Sequence, residues 1–378
     1  MNVIFTCGGT AGHVNPAIAV ANIWMERHPE SKILFIGGED EMERDLVPKA
    51  GYEFFGFDAA CFHRGRSWED IRYNIRAVGR VYKAFRQCRK RIKEFGADIV
   101  VGTGGYASFP ALLAGRSLKL PTCVHESNAL PGLTTRMVAD WVDRVLICFP
   151  ESAKHYRHAD RAHVVGMPVR REFIFTKRED ARKELNLGDK PLVVTAFGSQ
   201  GARAMNMMTG ELLAIEQKNG FPFRHIHAIG SYGMDWMPDH IRQQGVDLDK
   251  CPELDVREYI YNMPTVLAAA DIFIGRAGSS TCNEIAASGT PCILIPSPNV
   301  TDNHQEKNAR AMESQGGAVV ILEKDCTAAH VYDTIQKILS DPRRAKQMRG
   351  ALQGMTVPDS AEQICKIMEE LIAKKGTA

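Results

Sequence analysis

The sequence has no Cys-x-x-Cys pair, although ten cysteines are scattered from Cys7 to Cys365. That spacing argues against a zinc ribbon, and in a chain of 378 residues it reads as reduced thiols instead of a disulfide scaffold. No apolar run reaches the roughly 18 residues that a membrane span needs. Val3-Ile4-Phe5 runs straight into glycines, where a secretory leader needs a longer apolar region. There is no G-x-x-x-x-G-K-[ST] motif, which excludes a P-loop. Short-period repeats and low-complexity tracts are also missing. The expectation is a cytoplasmic protein able to sit on a membrane surface.

Charge imbalance is small as well, at a formal +2, so the total points to no particular partner. Its distribution is uneven. Arg64 to Lys93 holds eleven basic residues against two acidic ones, Glu69 and Asp70. Within "RYNIRAVGRVYKAFRQCRKRI", Ile75, Val78, Tyr82 and Phe85 follow helical spacing, flanked by Arg80, Arg86 and Arg89. That pattern suits anionic lipid headgroups, and equally a helix packed on a sheet with a solvated basic face. Nothing else reads as a nucleic-acid motif.

What the chain does have is alternation. Short apolar runs ("NVIFTC", "SKILFIGG", "ADIVVGTGG", "PTCVHE", "DRVLICF") are separated by stretches of helical spacing such as 16–27 and 73–95. A second series follows: "PLVVTAFGSQGAR", "FRHIHAIGS", "LDVREYI", "ADIFIGRAGSS", "TPCILIPSP" and "GAVVIL". This predicts an α/β chain of two parallel-sheet halves with crossover helices. The boundary falls at 165/166, and a third segment, 358–378, reads as a closing helix. In it, Ser360 and Gln363 form a capping box, and Ile364, Ile367, Met368 and Leu371 share one face.

Four glycine loops follow apolar runs: Gly8–Gly12, Gly102–Gly105, Gly198–Gly201 and Gly275–Ser280. One such loop reads as a tight turn. Four favour a phosphate-bearing ligand, held by backbone N–H groups and helix N-termini. Gly102, Gly104 and Ala107, with Glu126 ending the next strand, match a variant dinucleotide fingerprint. A nicotinamide enzyme therefore competes with a site for some other phosphate-bearing ligand, and a non-catalytic scaffold competes with both. Asp247-Leu248-Asp249 lies in a polar connection and reads as solvated charge, so no metal is expected.

The set "GGTAGHVNPA", "GTGGYAS", "HESN", "GMPVR", "GSQGAR", "EYI", "RAGSSTCNEIAASGTP" and "DNHQEKNA", in this order and spacing, resembles the MurG family of lipid-linked peptidoglycan N-acetylglucosaminyltransferases. The resemblance covers nearly the whole chain. It implies a GT-B fold, with two Rossmann-like domains facing across a cleft. It implies inverting transfer of N-acetylglucosamine from UDP-N-acetylglucosamine to the muramyl 4-hydroxyl of lipid I, an undecaprenyl-diphosphate-linked muramyl peptide. The product would be lipid II, made without a cofactor at the cytoplasmic face of an anionic membrane.

The resemblance also implies residue roles. Donor binding would fall to Ser199, Gln200, the Ile260 backbone, Gly278, Ser279, Ser280, Thr281, Cys282, Asn283, Glu284 and Gln305. Thr10, Ala11, Gly12, Asn128 and Arg170 would close on the donor. Gly8, Gly9, Gly104, Gly105, Tyr106 and Glu126 would take the acceptor. Two positions depart from the family pattern: Ala11 stands for a glycine, and Met167 for an asparagine. Inversion needs a base for the attacking hydroxyl, and His13, at the junction of the first loop and its helix, is assigned that role. Its alternatives are a helix-capping or phosphate-binding histidine, with His125 and Glu126 as other bases.

Overall fold

The computed structural model describes residues 1–60, 67–248, 250–300 and 303–376. It divides into two compact units, Met1–Val169 with Asp359–Ala378, and Arg170–Pro358. The first division falls after Val169 instead of residue 165 because the intervening residues are tied inward. Val165 N–H donates to the Ile147 carbonyl at 3.0 Å, and the Gly166 carbonyl meets His125 Nε2 at 2.9 Å.

Among the described residues, the first unit holds a seven-stranded parallel sheet. Its strands are β1 (Asn2–Thr6), β2 (Lys32–Gly38), β3 (Glu53–Phe57), β4 (Ile99–Gly102), β5 (Thr122–Glu126), β6 (Arg144–Ile147) and β7 (Ala162–Val164), in the order β3-β2-β1-β4-β5-β6-β7. The sequence reading lacked β3 and β7, both at sheet edges. Along β1 the side chains alternate between two cores: Val3 and Phe5 pack with Trp24 and Phe35, while Ile4 packs with Leu34 and Val100. A strand buried on both faces reads as a continuous apolar run.

The helix Ala11–Arg27 covers one face of this sheet. It starts earlier than the expected residue 16, because the Thr10 carbonyl already accepts from His13 at 3.0 Å. The helix Ser360–Gly376 packs on it through Ile364, Cys365, Met368 and Leu371, and Glu369 receives Arg27 at 2.8 Å and His28 at 2.7 Å. The expected capping box is corrected: Ser360 is already helical with its hydroxyl buried and unpartnered, and Gln363 reaches back to Asp359 at 3.0 Å.

The second unit holds β8 (Leu192–Ala196), β9 (Arg224–Ala228), β10 (Leu254–Arg257), β11 (Ile272–Gly275), β12 (Cys292–Leu294) and β13 (Ala318–Val320). All pair in parallel, in the order β10-β9-β8-β11-β12-β13. In both units the first strand is central and the order reverses beside it. Ligands in such sheets bind at strand C-terminal ends near that reversal. No helix among the described residues is long and apolar enough to cross a membrane.

Candidate active site

At the end of β1, Gly8 is buried and Gly9 adopts a φ of +85°. Ala11 opens the following helix, where backbone suited to glycine suits alanine equally; its side chain lies outside the described structure. His13 sits in the first turn. Its Nδ1 lies 3.1 Å from the Thr103 carbonyl, and the Thr103 hydroxyl donates back to the His13 carbonyl at 2.7 Å. A carbonyl only accepts, so the neutral ring carries its proton on Nδ1. Nε2 then holds the lone pair, the tautomer that a general base needs.

The second loop closes around this ring. Gly104 has a φ of +102°, and a Cβ there would sit 2.7 Å from His13 Nδ1. A Cβ on Gly105 would collide with the Gly8 carbonyl, so the first and second loops touch only because both are bare. Tyr106 donates its hydroxyl to Glu41.

Three first-unit assignments change. Gly9 does not offer its N–H to an acceptor phosphate, because Glu43 Oε2 takes it at 3.1 Å. Glu126 is not an exposed acceptor-binding or basic carboxylate. It is buried, Oε1 accepts from the Asn128 N–H and side-chain amide at 2.9 Å each, and Oε2 accepts from Gly132 at 2.9 Å. It holds its own loop and Asn128 with it, which also removes the ribose-binding acid that the dinucleotide reading required. His125 is 1% exposed and committed to Gly166, and burial pushes its pKa down. It is a core histidine.

In the second unit, the helix Ser279–Ser288 follows β11, with Gly278 as its N-cap and no acidic residue in its first turn. The first N–H groups of such a helix make an anion site. Ser280 Oγ lies there, buried with no partner. Asn283 donates to the Ser279 carbonyl at 2.8 Å. Cys282 is 1% exposed and part of the apolar core, and burial pushes its thiol up to about 12, so its side chain is not a ligand contact. Thr281 lies on the half-buried face beside it.

Glu284 stands beyond the first turn of this helix, which excludes simple helix-dipole stabilisation. It is half-buried; burial pushes its carboxyl up to about 7, and Arg170 pulls it back. Arg170 is exposed, with its guanidinium 5.0 Å over the Phe173 ring. Ile260 is 1% exposed, its side chain in the core. Ser199 and Gln200 are exposed at the end of β8, where their carbonyls receive Ser231 at 3.3 Å and Tyr232 at 3.1 Å. Gln305 Oε1 accepts from Ser297 N–H at 2.9 Å, which turns the Gln305 amide nitrogen into its donor end.

Among the described residues, no cluster of three His, Cys, Asp or Glu side chains is arranged to hold a metal ion. Asp249 of the Asp-x-Asp pair lies outside the described residues. Sequence reasoning missed Thr103, Glu41 and Glu43.

The basic helix spans Trp68–Phe95; Arg64 and Arg66 lie outside the described residues. Its buried stripe is Ala77, Ala84, Cys88 and Ile92. Phe85 packs partly on that core, and Arg80 is bound to Asp58 and to the Ala59 carbonyl at 2.9 Å. Both were expected on the membrane face and belong to the inner one. The outer face carries Ile75 (70% exposed), Tyr82 (61%), Trp68 (86%), Ile71 and Val78, with Arg86 and Arg89 exposed beside them.

The glycosyltransferase family 28 N-terminal domain model matches residues 3–147, and the family 28 C-terminal domain model matches residues 192–364. The UDP-N-acetylglucosamine–N-acetylmuramyl-(pentapeptide) pyrophosphoryl-undecaprenol N-acetylglucosamine transferase of Caldanaerobacter subterraneus is 38% identical over 372 residues, 98% of this chain and 100% of that one. The protein of the same name from Acetivibrio thermocellus is 38% identical over 377 residues, 100% of each chain. The chain belongs to the MurG family. The crystal structure of Acinetobacter baumannii MurG, at 23% identity, aligns with a TM-score of 0.76 over 98% of this chain and 99% of that one. The two Rossmann-like units are therefore those of a GT-B glycosyltransferase.

Proposed function

We propose that this MurG-family chain transfers N-acetylglucosamine from UDP-N-acetylglucosamine to the muramyl 4-hydroxyl of lipid I, with inversion, giving lipid II. The observation that carries the chemistry is His13, whose tautomer is set by the Thr103 carbonyl. Nε2 takes the proton from the attacking hydroxyl as oxygen bonds to the anomeric carbon and the bond to the UDP oxygen breaks. The leaving diphosphate falls to the N-terminus of the Ser279–Ser288 helix and to Arg170, with no metal assigned. Glu284 takes the ribose hydroxyls, the Ile260 backbone reads the uracil edge, and the Gln305 amide donates to a sugar hydroxyl. Transfer from UDP-N-acetylglucosamine to a short-chain lipid I analogue tests the reading; binding of UDP without transfer would overturn it in favour of a scaffold.

Glu284 gives a second test. Its folded-state pKa of about 7 lies above the usual carboxylate value of 4.5, so between these values the folded chain holds more proton than the unfolded one. Stability from this group therefore falls as pH rises from about 4.5 to about 7. Glu284→Gln is expected to abolish that slope in thermal unfolding of the ligand-free protein. It should also raise the KM for the donor roughly tenfold, since hydrogen bonds to a charged group are worth about 1.5–3 kcal/mol. Equal melting slopes in both proteins would count against it.

Membrane contact is assigned to the outer face of the Trp68–Phe95 helix. Each basic side chain near an anionic surface contributes about 1 kcal/mol. Replacing Arg86 and Arg89 together by glutamine should therefore weaken binding to phosphatidylglycerol-containing vesicles by roughly 10- to 100-fold. Unchanged vesicle binding would remove this surface from consideration.

A further inference from the structure

Glu43 opens the helix Glu43–Lys49, is fully buried, and has no part in the chemistry above. A carboxylate taken out of water needs hydrogen bonds or a cation in its place. Here the partners are backbone. Oε1 accepts from Gly38 N–H at 2.8 Å, and Oε2 from Gly9 N–H at 3.1 Å. Burial pushes its pKa up, and these N–H groups pull it back. The two bonds tie the end of β2 and the start of the following helix to the loop after β1. Space for the carboxylate exists only because the neighbours are bare: a Cβ on Gly37 would sit 2.6 Å from Glu43 Cγ, and one on Gly8 would sit 2.9 Å from Oε1.

Glu41, two residues earlier, receives the Tyr106 hydroxyl from the second glycine loop. One short segment thus grips both loops, which themselves abut at Gly8 and Gly105. We propose that Glu43 and Glu41 are positioning residues for transfer, a two-armed brace that sets the glycine loops, and the helix start carrying His13, against the acceptor sugar. The inference rests on the reading of His13 as base and the first unit as the acceptor side. A displacement of about 1 Å in such a site costs on the order of 100-fold in rate.

The test is Glu43→Gln, which keeps the side-chain volume but turns one acceptor oxygen into an NH2 facing a backbone N–H. For a lipid I analogue, kcat/KM should fall roughly 10- to 100-fold. UDP affinity by calorimetry should stay within about twofold, because the groups assigned to uracil, ribose and diphosphate (the Ile260 backbone, Glu284 and the Ser279–Ser288 helix) lie on the other unit. A merely structural role would reduce the active fraction and leave both KM values alone. Should Glu43→Gln fail to fold, Glu41→Ala cuts the Tyr106 arm at a half-buried position and carries the same expected split. Acceptor kinetics equal to wild type, or equal losses for donor and acceptor, would overturn the brace. No transfer by the wild-type chain would instead overturn the reading beneath it.

Discussion

His13→Ala is expected to lower turnover by a factor on the order of 100 or more, with donor affinity little changed. The size follows from what the ring supplies. A positioned general base contributes roughly 10²–10⁴-fold, and nothing near His13 can replace it. His125 is buried and held by Gly166, and Glu126 has both oxygens occupied by its own loop. The contact between Nδ1 and the Thr103 carbonyl adds a sharper expectation. His13→Gln can keep the shape and place its amide NH2 at that carbonyl, yet its remaining oxygen is a poor base. It should therefore be as slow as alanine while retaining substrate affinity. Steady-state kinetics with a lipid I analogue, varying each substrate in turn, check both variants. Near-normal turnover in either would remove His13 as base and leave it a positioning residue.

In the second unit β8, β11 and β12 were legible as buried apolar runs, and β8 and β11 lead into glycine loops. In the first unit β3 and β7 were not. "EFFGF" is a half-buried edge strand interrupted by Gly56, and "AHV" is three residues with none fully buried. Neither leaves the continuous apolar signal of a central strand. His13 could be singled out because histidine at a loop–helix junction is chemically distinctive. Thr103 could not, since it acts through its main-chain carbonyl, which has no sequence signature. Glu43 stands in "GGEDEMERD", where five acids look alike until the fold buries one of them. Glu126 was misread because a strand-end acid looks the same whether it takes a ligand or its own loop. Arg80 was misread because basic residues recur on every face of its helix, and only Asp58 distinguishes the inner one.

Glu216→Ala is expected to cost the second unit about 3–5 kcal/mol, the sum of stranding a buried N–H donor and of the cavity that the side chain leaves. Glu216, on the helix Arg203–Lys218, accepts His225 Nδ1–H at 2.9 Å. His225 Nε2 meets the Thr195 hydroxyl at 2.9 Å, and that hydroxyl meets His227 Nδ1 at 2.7 Å. All four side chains are fully buried. Burial pushes His227 down to about 3, so it stays neutral. The proton order follows from the inventory of donors and acceptors. With His225 protonated on Nδ1, its Nε2 accepts from Thr195, whose oxygen accepts from His227 Nδ1–H. The orphan is then His227 Nε2, a lone pair without a partner. A chain with one direction cannot lose its first acceptor without stranding a buried N–H. Glu216→Ala strands it and opens a cavity; Glu216→Gln keeps an acceptor oxygen and should cost only about 1 kcal/mol. The chain links β8 and β9 to a helix, and β8 runs directly into Gly198–Gly201. Hydrogen exchange of β8 and β9 amides reads the loss locally: the alanine variant should open these strands far more readily than the glutamine variant. Equal protection in the two variants would show that packing alone, without the directed polar chain, holds the strand that runs into Gly198–Gly201.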